Sequence, residues 1–213
     1  MFDIIEVTLI GMLVAGDLSR AYRGGCMPKV VLVLVGLAFL TPALFSQEGQ
    51  NKTEAFTAVA IGTGGPAGGK SISFDFRVTR YATDEEVDQL AQLLKEKGTD
   101  ALRKALEKED VGRINPVGSV GNPIAIARKR IVGTDTVITV VTARNMPFLE
   151  LYRGGRTTDY PFGYLQVTLN EKGEGSGQIM VATKIRFDKK KQHYEIESYG
   201  NQYIKAANVR QSK

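Results

Sequence analysis

"KSISFDFRVTRY", residues 70–81, decides the fold. Ile72, Phe74, Phe76 and Val78 alternate with Ser71, Ser73, Asp75, Arg77 and Thr79. A two-residue rhythm in β-branched and aromatic residues places one apolar face on a core and one polar face in water, so the stretch reads as a strand. The same residues close a phosphate-loop pattern, G-x-x-x-x-G-K-[ST], from Gly64 to Ser71. Such a loop needs a helix to open at its Lys and Ser, because the helix amino end and its free N–H groups hold the anion. A strand in that place offers neither. Nucleotide binding is therefore not expected, and the glycines read as a connector.

Downstream, "ATDEEVDQLAQLLKEKGTDALRKALEKEDVG" (82–112) changes to a helical period. Thr83 and Glu86 have capping-box spacing. Val87, Leu90, Ala91 and Leu94 share one face, and Gly98 supplies a stop. Thr99 or Asp100 is expected to cap a second helix, whose apolar side carries Leu102, Ala105 and Leu106. The acids Asp84 to Glu86 suit a helix start and need no catalytic role.

From Val111 onward short extended segments alternate with polar or glycine turns: 123–132, 136–144, 147–152, 162–170, 177–187, 192–200 and 202–210. Leu165, Val167 and Leu169 alternate with Tyr164, Gln166 and Thr168. Ile179, Val181 and Ile185 are expected on one face of the next strand. The pattern predicts an α+β fold: an antiparallel meander or partly closed β-barrel of about seven or eight strands, with a helical hairpin inserted at about 83–110. A single domain is expected over 70–210, behind a glycine-rich linker at 47–69.

"MPKVVLVLVGLAFLTPALFS" (27–46) has the layout of a secretory signal: Lys29, an apolar run, Pro42, and small Ser46 as the cleavage point. The alternative is a retained anchor, since 30–46 is at the short limit for crossing a bilayer. Residues 1–26, with Asp3, Glu6 and Asp17, read as an upstream mis-start or a disordered preface, with translation beginning at Met27. Export to the periplasm or beyond follows as the expected location.

The chain has 28 basic and 23 acidic residues, a net charge of +5, spread too thinly for a nucleic-acid footprint. One cysteine, Cys26, and one histidine, His193, give neither an internal disulfide nor a Cys/His metal site, and no cofactor motif is present. His193 is expected at the surface, outside any catalytic triad. The candidate site is a pocket rim at Asp159, Tyr160 and Phe162 around Pro161, with Arg153 and Arg156 near enough in sequence to receive an anionic group. Strict alternation sends Lys129 to the face opposite Arg128 and Arg130.

The pieces "YATDEE" (81–86), "GTDALRKAL" (98–106), "VGRI" (111–114), "DYPFGYLQVTLNEKGEGSGQ" (159–178), "VATKI" (181–185) and "NVR" (208–210) resemble an exported bacterial, acidobacterial-type single-domain family of unknown function. The resemblance implies export and one domain, and no activity, ligand or cofactor. The functional expectation is an exported, non-catalytic domain that binds a small molecule or an envelope partner. The alternative is a hydrolase-like enzyme using Asp159 with Tyr160, and His193 as a further candidate.

Overall fold

A computed structural model of the chain describes residues 53–63, 68–148, 158–201 and 204–212. The signal at 27–46, residues 1–26, Arg153 and Arg156 lie outside the described residues.

The strands are β1 (Glu54–Gly62), β2 (Ser71–Val78), β3 (Gly112–Pro116), β4 (Asn122–Pro123), β5 (Ile126–Val132), β6 (Asp135–Thr142), β7 (Phe162–Leu169), β8 (Glu174–Asp188), β9 (His193–Ser198) and β10 (Ile204–Ser212). Helices α1 (Asp84–Lys97) and α2 (Thr99–Leu106) stand between β2 and β3. All strands join one antiparallel sheet in the order β4-β3-β2-β1-β10-β8-β7-β6-β5, and β9 pairs with β8 beyond β10. The expected α+β class with a curled antiparallel sheet is correct.

Only Ile124 and Ala125 separate β4, at one end of this order, from β5 at the other. Ile124 N donates to Gly112 O at 2.8 Å, and Ala125 N donates to Val141 O at 2.9 Å. One extended stretch, 122–132, thus pairs first with β3 and then with β6, and joins the two edges of the sheet into a partly closed barrel. Among the described residues the strands number ten: β1 and the short β3 and β4 add to those expected, while the segment expected at 147–152 forms no strand at 147–148 and otherwise lies outside the described residues.

The rhythm of 70–81 holds: Phe74, Phe76 and Val78 are buried and Ile72 is half-buried. Gly62 N donates to Lys70 O at 3.0 Å where β1 and β2 pair, and a strand, not a helix, follows Lys70. The expected linker at 47–69 is corrected over 54–62, which forms β1, hydrogen-bonded to both β2 and β10 with Phe56, Ala58 and Ala60 buried.

The core has two compartments. Inside the barrel, Phe56 stacks on Phe76 at 4.6 Å and Phe148 meets Phe74 edge-on at 5.1 Å, among Ile114, Leu165, Val167, Ile179 and Val209. Outside it, α1 and α2 cover one part of the sheet and bury Val87, Leu94, Leu102 and Leu106 against Ile126, Val141, Phe162, Tyr164 and Met180.

Thr83 and Glu86 form the capping box, and Gly98 takes φ 81° between the helices. Neither Thr99 nor Asp100 caps α2, whose N-cap is Gly98; Thr99 Oγ1 instead donates to Ile185 O at 2.9 Å and ties the helix to β8. Ile185 also departs from expectation. The β7–β8 register slips by one residue between the Phe162–Thr183 and Tyr164–Met180 pairs. That bulge turns the far half of β8 over, so Ile185 faces the helices while Ile179 and Val181 face the barrel.

Candidate functional site

Pro161 fixes the start of β7, and the segment that follows β6 crosses behind it. Gly163 permits the crossing: a Cβ there would stand 2.3 Å from Met146 Cγ and 2.6 Å from Thr142 Oγ1. The crossing chain has irregular backbone, and side chains satisfy it. Thr142 Oγ1 donates to Arg144 O, Asn122 Nδ2 donates to Asn145 O at 2.6 Å, and Asn145 Nδ2 donates to Tyr160 O at 2.6 Å.

These contacts shape a cleft of about 410 Å³ at the end of the barrel where β6 stops and β7 begins. Ala143, Arg144 and Asn145 line one side, Thr158 and Pro161 another, and Asn122 lies among them. Helix α2 adds Asp100 from its first turn and Arg103 from its last. Arg103 is paired with Glu107 one turn along the helix. Arg144 is exposed, and among the described residues its guanidinium makes no ion pair or side-chain hydrogen bond. With Arg103 already paired to Glu107, Arg144 is the guanidinium of the lining that suits the cleft to an anion, with the carboxylate of Asp100 on the same lining.

The predicted rim residues separate here. Asp159 is exposed beside the cleft-lining Thr158. Tyr160 is half-buried; its phenol donates to Glu197 Oε1 on β9, and its ring meets Tyr199 edge-on at 5.3 Å. The bond to Glu197, with burial second, raises the phenol's pKa, which holds the proton on it. Phe162 is no rim residue. It is fully buried under the helices, because β7 is covered on both faces at its start.

His193 is corrected as well: its side chain is only 19% exposed, and Nε2 lies 3.0 Å from Glu195 Oε1. Glu195 also takes Arg186 at 2.8 Å and Lys191 at 3.2 Å. The cluster is a self-satisfied patch on the β8–β9 hairpin. Arg128 is buried and pairs with Asp84 of α1 at 2.6 Å, whereas Lys129 pairs with Glu54 at 2.7 Å, so the alternation predicted for 128–130 places the two cations against different elements.

Arg144, Asn145, Asn122 and Arg103 were missed by sequence reasoning. They come from three separate stretches, and no local pattern marks them. No protein-family model, curated protein or solved structure matches the chain.

Proposed function

We propose that the chain is an exported, non-catalytic domain that holds a small anionic molecule, or an anionic group on an envelope partner, in the cleft beside Asp159. The observation that carries this reading is Arg144, which lines the cleft and has no counter-ion among the described residues. The packed barrel interior adds support: with Phe56, Phe74, Phe76 and Phe148 filling it, binding falls to the outer surface and the strand ends. Arg153 and Arg156 precede Thr158 closely in sequence and are candidates to add charge there.

Nothing prepares Asp159 and Tyr160 for catalysis: the phenol is engaged with Glu197 and pushed away from ionisation. The test is calorimetric titration of the protein with inorganic phosphate, acetate and citrate, repeated on Arg144→Gln. Saturable binding by the parent, lost in Arg144→Gln without a change in melting temperature, supports the reading. Equal binding by both proteins, or none by the parent, removes the cleft from consideration. A turnover abolished by Asp159→Asn in a folded protein would favour the enzyme instead.

A further inference from the structure

We propose that the cleft takes a small zwitterion, one carboxylate and one ammonium on a short carbon chain, as in an amino acid. This rests on the anion-holding reading of the same cleft and adds the second charge. Arg144 is not the only open charge of the lining. Asp100, in the first turn of α2, is exposed, and among the described residues its carboxylate makes no ion pair and accepts no hydrogen bond. The two are not paired with each other either. Asp100 stands on a helix outside the barrel. Arg144 stands two residues past β6, on a path fixed by the bonds to Arg144 O and Asn145 O. One cleft thus presents an open cation and an open anion that separate elements keep apart.

The rest of the lining adds to the acceptor side. Asn122 Nδ2 donates to Asn145 O, and Asn145 Nδ2 donates to Tyr160 O, both at 2.6 Å. The Oδ1 atoms of these two residues accept no hydrogen bond among the described residues. The Arg144 guanidinium is a planar fork of donors and matches a carboxylate. An ammonium carries three donors and no acceptor, and Asp100, Asn122 and Asn145 supply acceptors for it. Ala143 and Pro161 add carbon surface for the chain between the two charges.

The charges choose the class. A simple anion on Arg144 leaves Asp100 unpaired and is repelled by it. A simple cation on Asp100 meets the same difficulty at Arg144. A zwitterion satisfies both at once. A cleft of about 410 Å³ is near the small end of ligand pockets, which suits molecules of this size.

Calorimetric titration at neutral pH compares matched pairs: glycine with acetate, 3-aminopropanoate with propanoate, and 4-aminobutanoate with butanoate. At least one amino acid is expected to bind the parent about tenfold more tightly than its matched acid, the worth of one charged hydrogen bond. Asp100→Asn should narrow that gap from both sides. The amino acid binds more weakly because its partner is lost, and the acid binds more tightly because a repelling charge is gone. A loosened fold would not move the two in opposite directions, and circular dichroism melts check that the variant folds. The comparison within the parent decides even without the variant. Equal affinity within every pair, or an Asp100→Asn change of the same sign for both members, overturns the zwitterion and leaves the anion reading standing. Binding of neither member of any pair also overturns it, and inorganic phosphate, titrated alongside, tells whether the anion reading falls with it.

Discussion

Gly177→Ala tests how the sheet curls. Gly177 lies in β8 opposite Val167 of β7. A Cβ built there stands 2.0 Å from Gln166 O and 2.8 Å from Val167 Cα. The obstacle is main chain, so no rotamer change relieves it, and the strands must part by more than an ångström to reach ordinary contact. That loosens the ladder on both sides of the site. Two weakened ladder bonds cost about 1 kcal/mol each. Local overpacking adds roughly 1–3 kcal/mol. The expected loss is therefore about 3–5 kcal/mol, or roughly 6–20 °C in melting temperature for a domain of this size. Thermal melts and urea titrations followed by circular dichroism measure it, with Ser176→Ala, on the opposite face of the same strand, as the control. Gly175 is in the same position, since its Cβ would stand 1.8 Å from Thr168 O. One parting of β7 from β8 would accommodate both methyl groups, so Gly175→Ala with Gly177→Ala should cost less than their sum. A Gly177→Ala protein that melts within 2 °C of the parent, or a fully additive pair, would refute the idea that these glycines permit the close approach of β7 and β8.

Phe162→Ala should lower stability by about 3–5 kcal/mol, as for a large buried aromatic. Loss of ligand affinity with unchanged stability would return Phe162 to the rim. Glu54→Gln removes the charge from the bridge that joins Lys129 at 2.7 Å and Tyr81 Oη at 2.6 Å. Lys129 is more than a third exposed, so the expected cost is only about 1 kcal/mol, together with faster amide exchange in the first turn of β1; unchanged exchange would argue against a latch. Glu86 has its pKa lowered from the ordinary 4.5, first by its bond from Thr83 N, with Arg80 contributing. Because the folded value is depressed, its stabilisation is present above the unfolded pKa and lost as pH falls through the folded one. Glu86→Gln keeps the cap but not the titration, so it should flatten the melting-temperature profile below pH 4.5, and an unchanged acid limb would assign that limb to other carboxylates.

Local periodicity carried the parts of the fold that depend on neighbours in sequence. The alternation at 70–81, the Thr83–Glu86 capping box and the Gly98 break each need only a few adjacent residues, and all three stand in the structure. What failed depends on a partner. Ile185 changed faces because β8 gains a residue against β7, and a bulge leaves no mark in the apolar pattern of β8 alone. Phe162 and Tyr164 belong to a strand buried on both faces near its start, so the expected division into one apolar and one polar face held only for the uncovered remainder of β7. His193, expected at the surface, is shielded by a hairpin that pairs it with Glu195. Of the expected rim stretch 159–162 only Pro161 lines the cleft; its charged lining, Asp100, Arg103 and Arg144, comes from other parts of the sequence that no local pattern joins to it.

The position of the cleft follows from how the barrel is closed. Ladder bonds consume the backbone along the strands, and the interior is filled by rings and branched side chains, so neither has capacity left for a ligand. At the end where β6 passes to β7, the chain leaves the ladder while still partly buried, and its carbonyls require side-chain donors. Asn122, Asn145 and Thr142 supply them. Those bonds hold residues 143–145 in an irregular path, and that path places Arg144 where no carboxylate of the described residues pairs with it. The open charge in the cleft is thus a consequence of satisfying the backbone around it. Asn145→Ala should accordingly weaken anion binding through Arg144 even though Asn145 need not touch the ligand; titration of Asn145→Ala with the anion that binds the parent best would show an affinity loss, and undiminished affinity would separate the cleft's charge from its scaffold.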